Sequence, residues 1–442
     1  MSRRVALTTL GCRLNQVDTL QLQAGLEARG FVAVPFEAPA DVVVVNTCTV
    51  TARAEFSDRQ AIRRARRLHP DARVVVTGCW AQTSPDAVAR LDEVDLVVGN
   101  ADKGRLPELV EALLSARVAP LRVCVGDVAG APGPALLRPR PSGRARAFVK
   151  VQDGCQHRCA FCIVPFARGT SRSLPAAAIV DEVSRLAELG HQEVVLTGID
   201  LGHYGADLVP RTTLATLIRA LGRVPGLRWV RLSSMLPPYF TDELVESLAA
   251  SPATAPHFHV PLQSGSDRVL RAMRRPYTVA LYRRVVERLA AAFPRLGLGA
   301  DVLVGFPGET EQDFAATRAL VEGLPFTYLH VFPYSVRSGT EAAGRSERVD
   351  AKTIARRAAA MRELGAAKAA AFGRVLAGRV EEVLVLERRD RASGGLVGLT
   401  GQYAEVVFDG PDALMRRLAR VRVDSASAAR LRGRLEEEDR AA

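Results

Sequence analysis

"AFVKVQDGCQHRCAFC", residues 147–162, joins a short apolar run to three cysteines with three and then two residues between them. The run at 147–152 predicts a strand, and the cysteine loop follows it directly. Three thiolates on one tight loop can hold three corners of an iron–sulfur cube and leave the fourth iron open. A structural zinc ion is the competing reading, but it normally takes four ligands in paired knuckles. Cys12, Cys48 and Cys79 are too distant in sequence to be a local fourth, and His157 points away if the loop wraps a cluster. The spacing therefore favours a cluster. A loop that leaves the first strand of a β/α sheet also sits where barrel enzymes keep their chemistry.

Outward from that loop, strand and helix patterns alternate for about 190 residues. Expected strands are "AFVKVQ", "EVVLTG", "WVRLSS", "HFHV", "GADVLVGF" and "YLHVFPY". Six such units imply a partial (β/α) barrel. Upstream, "RVALTT", "DVVVVN", "RVVVTG" and "DLVVGN" read as buried parallel strands, with helices at 15–29, 53–68, 85–91 and 102–116 between them. That rhythm predicts a doubly wound parallel sheet. Between the two lies a Pro-, Gly- and Arg-rich stretch (126–146) with linker composition. A long helix is expected at 351–372. Beyond it, short runs with glycine turns predict a small β-barrel. The chain is thus an α/β protein with an N-terminal domain (1–118), a linker (119–140), a core (141–372) and a C-terminal barrel (373–437).

The 442 residues suffice for several cores, and none of their stretches approaches the ~18 apolar residues of a membrane helix. "MSRRVALTTLGC" has two arginines before an apolar run, yet Thr8 and Thr9 break the run early. A cytoplasmic protein with no membrane partner is expected. Sixty basic against 48 acidic residues leave a net charge of +12, which favours a polyanionic partner. Only four of the sixty are lysine, an arginine bias that genome composition can also produce.

Three further cysteines share a setting rather than a spacing. "LTTLGC", "VVVVNTC" and "VVVTGC" put Cys12, Cys48 and Cys79 just past the ends of predicted parallel strands. Those ends face one crevice in an open α/β sheet, so a second iron–sulfur cluster is expected there. Cys124 is left over, with packing its expected role.

Cys155-x-x-x-Cys159-x-Phe161-Cys162 resembles the signature of the radical S-adenosylmethionine (SAM) enzymes. That resemblance implies SAM chelated on the open iron and cleaved reductively to a radical. It also implies cofactor contacts at later strand ends: Thr197, Gly198 and Asp200 in "LTGIDLGHYG", Gln263 and Ser264 in "HVPLQSGS", Gly305 and Glu309 in "DVLVGFPGET". With "TLGCRLNQVD", "NTCTV" and "TGCWAQ", the chain resembles the methylthiotransferase family over nearly its full length. The resemblance implies two 4Fe–4S clusters, one on Cys155, Cys159 and Cys162 for radical generation and one on Cys12, Cys48 and Cys79 for sulfur transfer. An electron donor such as flavodoxin or ferredoxin is implied as well.

Among the branches of that family, "NTCTVTARAE" and "LTGIDLGHYG" look most like the one acting on threonylcarbamoyladenosine beside the tRNA anticodon. Action on isopentenyladenosine or on a ribosomal-protein aspartate is the alternative, as is a non-catalytic iron–sulfur RNA-binding protein. Val336 and Ser338 stand where the family often has prolines, and Trp80 where tyrosine is more usual. The tail resembles the family's RNA-binding TRAM domain. Arg388, Arg389, Arg416, Arg417, Arg420 and Arg422 are its candidate phosphate contacts, with the anticodon arm as partner. "RRARR" (63–67) is a further basic run, commonly just a solvated helix face. His257 and His259 alternate on one strand and are expected in a core or pocket wall rather than as metal ligands.

Overall fold

Valine runs set the first sheet. The computed structural model describes residues 3–115, 123–130, 143–426 and 430–436. It opens with β1 (Arg4–Thr9), α1 (Arg13–Glu27), β2 (Val32–Val34), β3 (Val42–Thr47), α2 (Ala52–Leu68), β4 (Arg73–Gly78), α3 (Cys79–Thr83), α4 (Pro85–Ala89), β5 (Leu96–Val98), α5 (Leu106–Ser115) and β6 (Val123–Cys124). All six strands run parallel in the order β2-β1-β3-β4-β5-β6. β3 is buried on both faces, which its unbroken VVVV requires of a central parallel strand. Leu22, Leu26, Leu106 and Val110 cover one face of the sheet, and Ile62, Ala65, Trp80 and Val88 the other.

β6 lies within the stretch expected as linker, so the first sheet extends past residue 118. Two residues carry too little pattern to be read as a strand. Residues 125–130 of the expected linker are described as well, and 119–122 and 131–140 lie outside the described residues.

The middle region runs β7 (Arg146–Lys150), β8 (Gln152–Asp153), α6 (Val164–Arg168), β9 (Arg172–Ser173), α7 (Ala176–Glu188), β10 (Glu193–Thr197), α8 (Leu214–Leu221), β11 (Trp229–Leu232), α9 (Asp242–Ala250) and β12 (His257–His259). It continues with α10 (Asp267–Ala272), α11 (Val279–Ala292), β13 (Gly297–Val304), α12 (Glu311–Gly323), β14 (Tyr328–Pro333) and α13 (Ala351–Leu376). Two parallel triplets form, β11-β10-β7 and β12-β13-β14. They join where Val230 N–H donates to Ala253 O and Ala255 N–H to Val230 O. This is the expected partial barrel.

Strand alternation sorts its side chains. Ala147, Val149, Val194, Leu196, Val230, Phe258, Ala300 and Val302 pack outward under the helices in one core. The opposite face of the same strands turns Arg146, Phe148, Glu193, Arg231, His257, His259, Asp301, Tyr328 and His330 toward the lumen.

The tail closes into a barrel, β15-β16-β17-β19-β18, from β15 (Val380–Arg389), β16 (Leu396–Thr400), β17 (Glu405–Phe408), β18 (Leu418–Ala426) and β19 (Leu431–Leu435). Residue 437, the expected end of this domain, lies outside the described residues. Among the described residues no helix is long and apolar enough to cross a membrane.

Candidate active site

Each N-terminal cysteine follows a strand of the first sheet, and tight backbone brings the three together. Gly11 takes φ +93°, and a Cβ there would lie 2.7 Å from Cys48 Cβ, so only glycine lets the Cys12 loop approach. Cys12 and Cys48 both lie within reach of the charge of Cys79. Burial pushes Cys48 up to about 12, with Cys79 and Cys12 adding to it. Cys12 is open at the mouth of the site, yet burial raises its thiol too. Asn100 Nδ2 lies 3.7 Å from Cys79 Sγ and donates to Ala167 O at 2.8 Å.

The second trio lies on the loop after β8. Gly154, at φ +76°, has no room for a Cβ because Thr170 O would be 1.9 Å away. Cys155 N–H donates to Gly169 O, and Cys162 N–H to Cys159 O. Burial pushes Cys155 up to about 12 and Cys162 to about 11, each raised further by its neighbouring cysteines. A cavity of about 620 Å³ opens on all three. The helix that begins at Cys79, α3, packs against α6, which starts two residues after Cys162. Both trios therefore border one region.

Thiols held neutral by burial release their protons when a cationic centre supplies the compensating charge. Three soft donors in each of two converging sets suit iron–sulfur ligation. Cys124 belongs to neither set; it sits on the edge strand β6 near Arg105.

The expected SAM contacts divide. Asp200 and Cys155 approach directly, with Oδ2 3.8 Å from Sγ, and Asp200 N–H donates to Gln152 Oε1. Burial raises the Asp200 carboxyl against the pull of His157 and His203. His157 turns to Tyr239 and Asp200 at 2.8 and 3.4 Å. Thr197 ends β10 and Gly198 follows it, its N–H donating to Ser233 Oγ at 3.4 Å. Gln263 adopts φ +64°, and its backbone bridges Asp301 and Leu303 of β13.

Three of the expected contacts are engaged within the fold. The Ser264 hydroxyl lies 3.3 Å from Thr317 Oγ1 of α12. The Glu309 carboxylate accepts from Gly305 N–H and from Arg357, both at 2.7 Å. Gly305 needs its missing Cβ because Ile354 would lie 2.3 Å away. The glycine reflects helix packing, and Glu309 shapes its loop.

Residues 4–99 match the family described as Uncharacterized protein family UPF0004, and residues 149–321 match the Radical SAM superfamily. The threonylcarbamoyladenosine tRNA methylthiotransferase MtaB of Aquifex aeolicus is 40% identical over 393 residues, spanning 87% of this chain and 93% of that protein. MtaB of Bacillus subtilis is 36% identical over 421 residues, 95% of this chain and 93% of its own. The chain belongs to the radical SAM methylthiotransferases. Membership brings SAM and 4Fe–4S clusters as cofactors. A solved radical SAM methyltransferase, TsrM from Kitasatospora setae, shares the fold with TM-score 0.61 at 21% identity, over 78% of this chain and 77% of its own.

Several residues beside the two cysteine trios had no local signature. Arg275 donates to Cys159 Sγ at 3.2 Å from 116 positions away. Arg337 reaches Glu55 and Thr49 beside Cys48, and Ser335 Oγ accepts from Ala52 N–H. The 335–340 loop is thus tied to the N-terminal domain without the prolines replaced by Val336 and Ser338.

On the C-terminal barrel, Arg388, Arg389, Arg416, Arg417 and Arg420 are exposed and Arg422 is half-buried. Arg388 pairs with Glu405, Arg389 with Asp412 and Arg422 with Glu436. Arg416 and Arg417 have no ion pair among the described residues. In the 63–67 run, Arg66 is bound to Asp95 and three carbonyls, while Arg63 and Arg64 face Glu93 and Glu37.

Proposed function

We propose that this chain converts N6-threonylcarbamoyladenosine beside the tRNA anticodon into its 2-methylthio derivative. One observation carries the reading: two cysteine trios from different domains border one region, in a chain whose relatives are named for that reaction. When bound, SAM and the two clusters supply the radical and the methylated sulfur. Cys155, Cys159 and Cys162 hold one cluster, and Cys12, Cys48 and Cys79 the other.

The chain's own groups tune and shield that region. Arg275 sets a guanidinium 3.2 Å from Cys159 Sγ, and Arg337 lies near Cys48. Burial of Cys48, Cys79 and Cys159 limits water there. Asp200, His157 and Tyr239 form a hydrogen-bonded group beside Cys155. Arg158 and the exposed Phe166, at the mouth of the cavity over this trio, give an acidic electron carrier such as a flavodoxin or ferredoxin a cationic and apolar face. A cytoplasmic setting fits a tRNA substrate.

Deleting the encoding gene is expected to remove the 2-methylthio nucleoside from tRNA and leave its precursor, read by nucleoside mass spectrometry. Unchanged nucleosides would overturn the substrate. In purified enzyme, Cys12→Ala is expected to keep SAM cleavage and lose sulfur insertion, whereas Cys159→Ala loses both. Sulfur insertion by Cys12→Ala would remove the sulfur-transfer role from that trio.

A further inference from the structure

Most charges turned into the barrel lumen are matched. Glu193 and Arg231 form a fully buried pair at 2.8 Å. His259 and His330 both face Asp301, at 3.0 and 3.4 Å. Lys150 is held by Asp18 and Asp153. Arg13 and Arg146 are different: among the described residues neither has a carboxylate partner.

These two guanidinium groups nevertheless converge. Arg13, the first residue of α1, lies 5.9 Å from the Phe148 ring centre and 5.6 Å from that of Tyr403. Arg146, at the start of β7, lies 5.9 and 5.7 Å from the same two rings. The Tyr403 hydroxyl accepts from Arg13 Nη2 at 2.6 Å. Arg146 Nη1 is buried without a partner, as is His257 Nδ1 beneath the stacked Tyr403 ring, 4.5 Å away. Tyr403 itself holds φ +74°, a strained backbone for a tyrosine, in the loop that carries it into this lumen. Both arginines also help to keep the buried His257 neutral, behind burial and the nearer Arg231 and His259. Glu193, opposite Arg146 on β10, is taken by Arg231, itself 5.3 Å from the Tyr403 ring, so two guanidinium groups over shared rings with an unsatisfied buried donor and no bonded carboxylate form a seat for an anion.

We propose that Arg13 and Arg146, with Tyr403, bind the carboxylate of the substrate's N6 substituent. The inference rests on the substrate proposed above and adds how that substrate is told from others. A threonylcarbamoyl group ends in a carboxylate; an isopentenyl group is uncharged and leaves both guanidinium groups unpaired. Arg13 follows Cys12 in the chain, so the seat and the first N-terminal cysteine share the start of α1.

The test uses the reconstituted holoenzyme and an anticodon stem-loop RNA in three forms: threonylcarbamoylated, its carboxyl methyl ester, and unmodified. Charge-assisted hydrogen bonds of this kind predict that wild type binds the acid form about 10- to 100-fold more tightly than the other two. Arg146→Gln, remote from every cysteine, is expected to bring all three forms within about twofold of one another, with Arg146→Lys restoring part of the gap. Arg13→Gln, checked for unchanged iron and sulfide, is expected to act likewise. Wild-type enzyme that binds ester and acid equally, or variants that keep the preference, would overturn the seat. If wild type methylthiolates the acid form while the variants keep their preference, only the seat falls. If it converts none of these and only an isopentenyladenosine stem-loop supplied as a fourth substrate, the substrate reading falls with it.

Discussion

Asp18 of α1 lies 3.0 Å from Lys103, 2.7 Å from Lys150 and 2.9 Å from Arg168, all at the buried contact between the N-terminal domain and the barrel. Burial alone would raise its carboxyl, but these three cations hold it well below the usual carboxylate range. Because the folded value is the lower one, its contribution is complete above the unfolded value of about 4 and is lost as pH falls below that. Asp18→Asn leaves Lys150 and Arg168 with Asp153 and Lys103 with no carboxylate partner among the described residues. Removing one partner from a buried charge group costs about 3–5 kcal/mol. The variant is therefore expected to melt several degrees lower at pH 7, with the gap to wild type narrowing as the pH is taken below 4. Equal melting at pH 7 would show the network to be dispensable. "TLGCRLNQVD" marked Asp18 only as part of a motif. Its partners come from 85, 132 and 150 positions away, and no local pattern reports such a contact.

Helix α12 shows how an element can fix a loop of the site. Thr310 Oγ1 accepts from Asp313 N–H while the Asp313 carboxylate accepts from Thr310 N–H, a reciprocal cap just after the "GFPGE" loop. Asp313 also receives Ser266 and Arg268 from the 263–268 segment. Asp313→Ala is expected to cost about 1–2 kcal/mol through the lost cap, and to raise hydrogen exchange in the first turn of α12 and in residues 305–309. Exchange confined to neither segment would refute the coupling. These partners outweigh burial and hold the carboxyl below the usual range, so the wild-type protection persists above about pH 4 and weakens in acid. Elements of this length were legible, because unbroken valine strands and capped amphipathic helices repeat their signal. β2, β6 and α3, of three, two and five residues, were not. β19, "LRGRL", is an alternating strand whose polar half hides it. Cys12, Cys48 and Cys79 each follow a strand of the first sheet, and Cys155, Cys159 and Cys162 share the loop after β8, settings that strand patterns and local spacing signal in the sequence. Ser264, Gly305 and Glu309 are also held against α12 and α13, contacts that no local pattern signals.

At the scale of the whole molecule the excess charge has a place to act. The chain carries +12 overall, yet Arg388, Arg389 and Arg422 of the C-terminal barrel are already paired with acids. Arg416 and Arg417, exposed between β17 and β18, have no ion pair among the described residues and are the cations expected to meet RNA phosphates. Phosphate contacts of this sort add affinity without reading bases, and each releases a counterion from the RNA. Arg416→Ser with Arg417→Ser is therefore expected to weaken binding of an anticodon stem-loop several-fold at moderate salt. The weakening should be alike for threonylcarbamoylated and unmodified RNA. The slope of log affinity against log salt should become shallower by about 1.5, the share of two phosphates. Titrations across a salt series read both quantities at once. This profile is the opposite of that expected for Arg146→Gln, which lowers affinity only for RNA bearing the carboxylate and leaves the salt slope on unmodified RNA alone. A double variant with an unchanged slope would move the phosphate contacts off this loop. A loss restricted to the threonylcarbamoylated RNA would place these two arginines with the lumen seat instead.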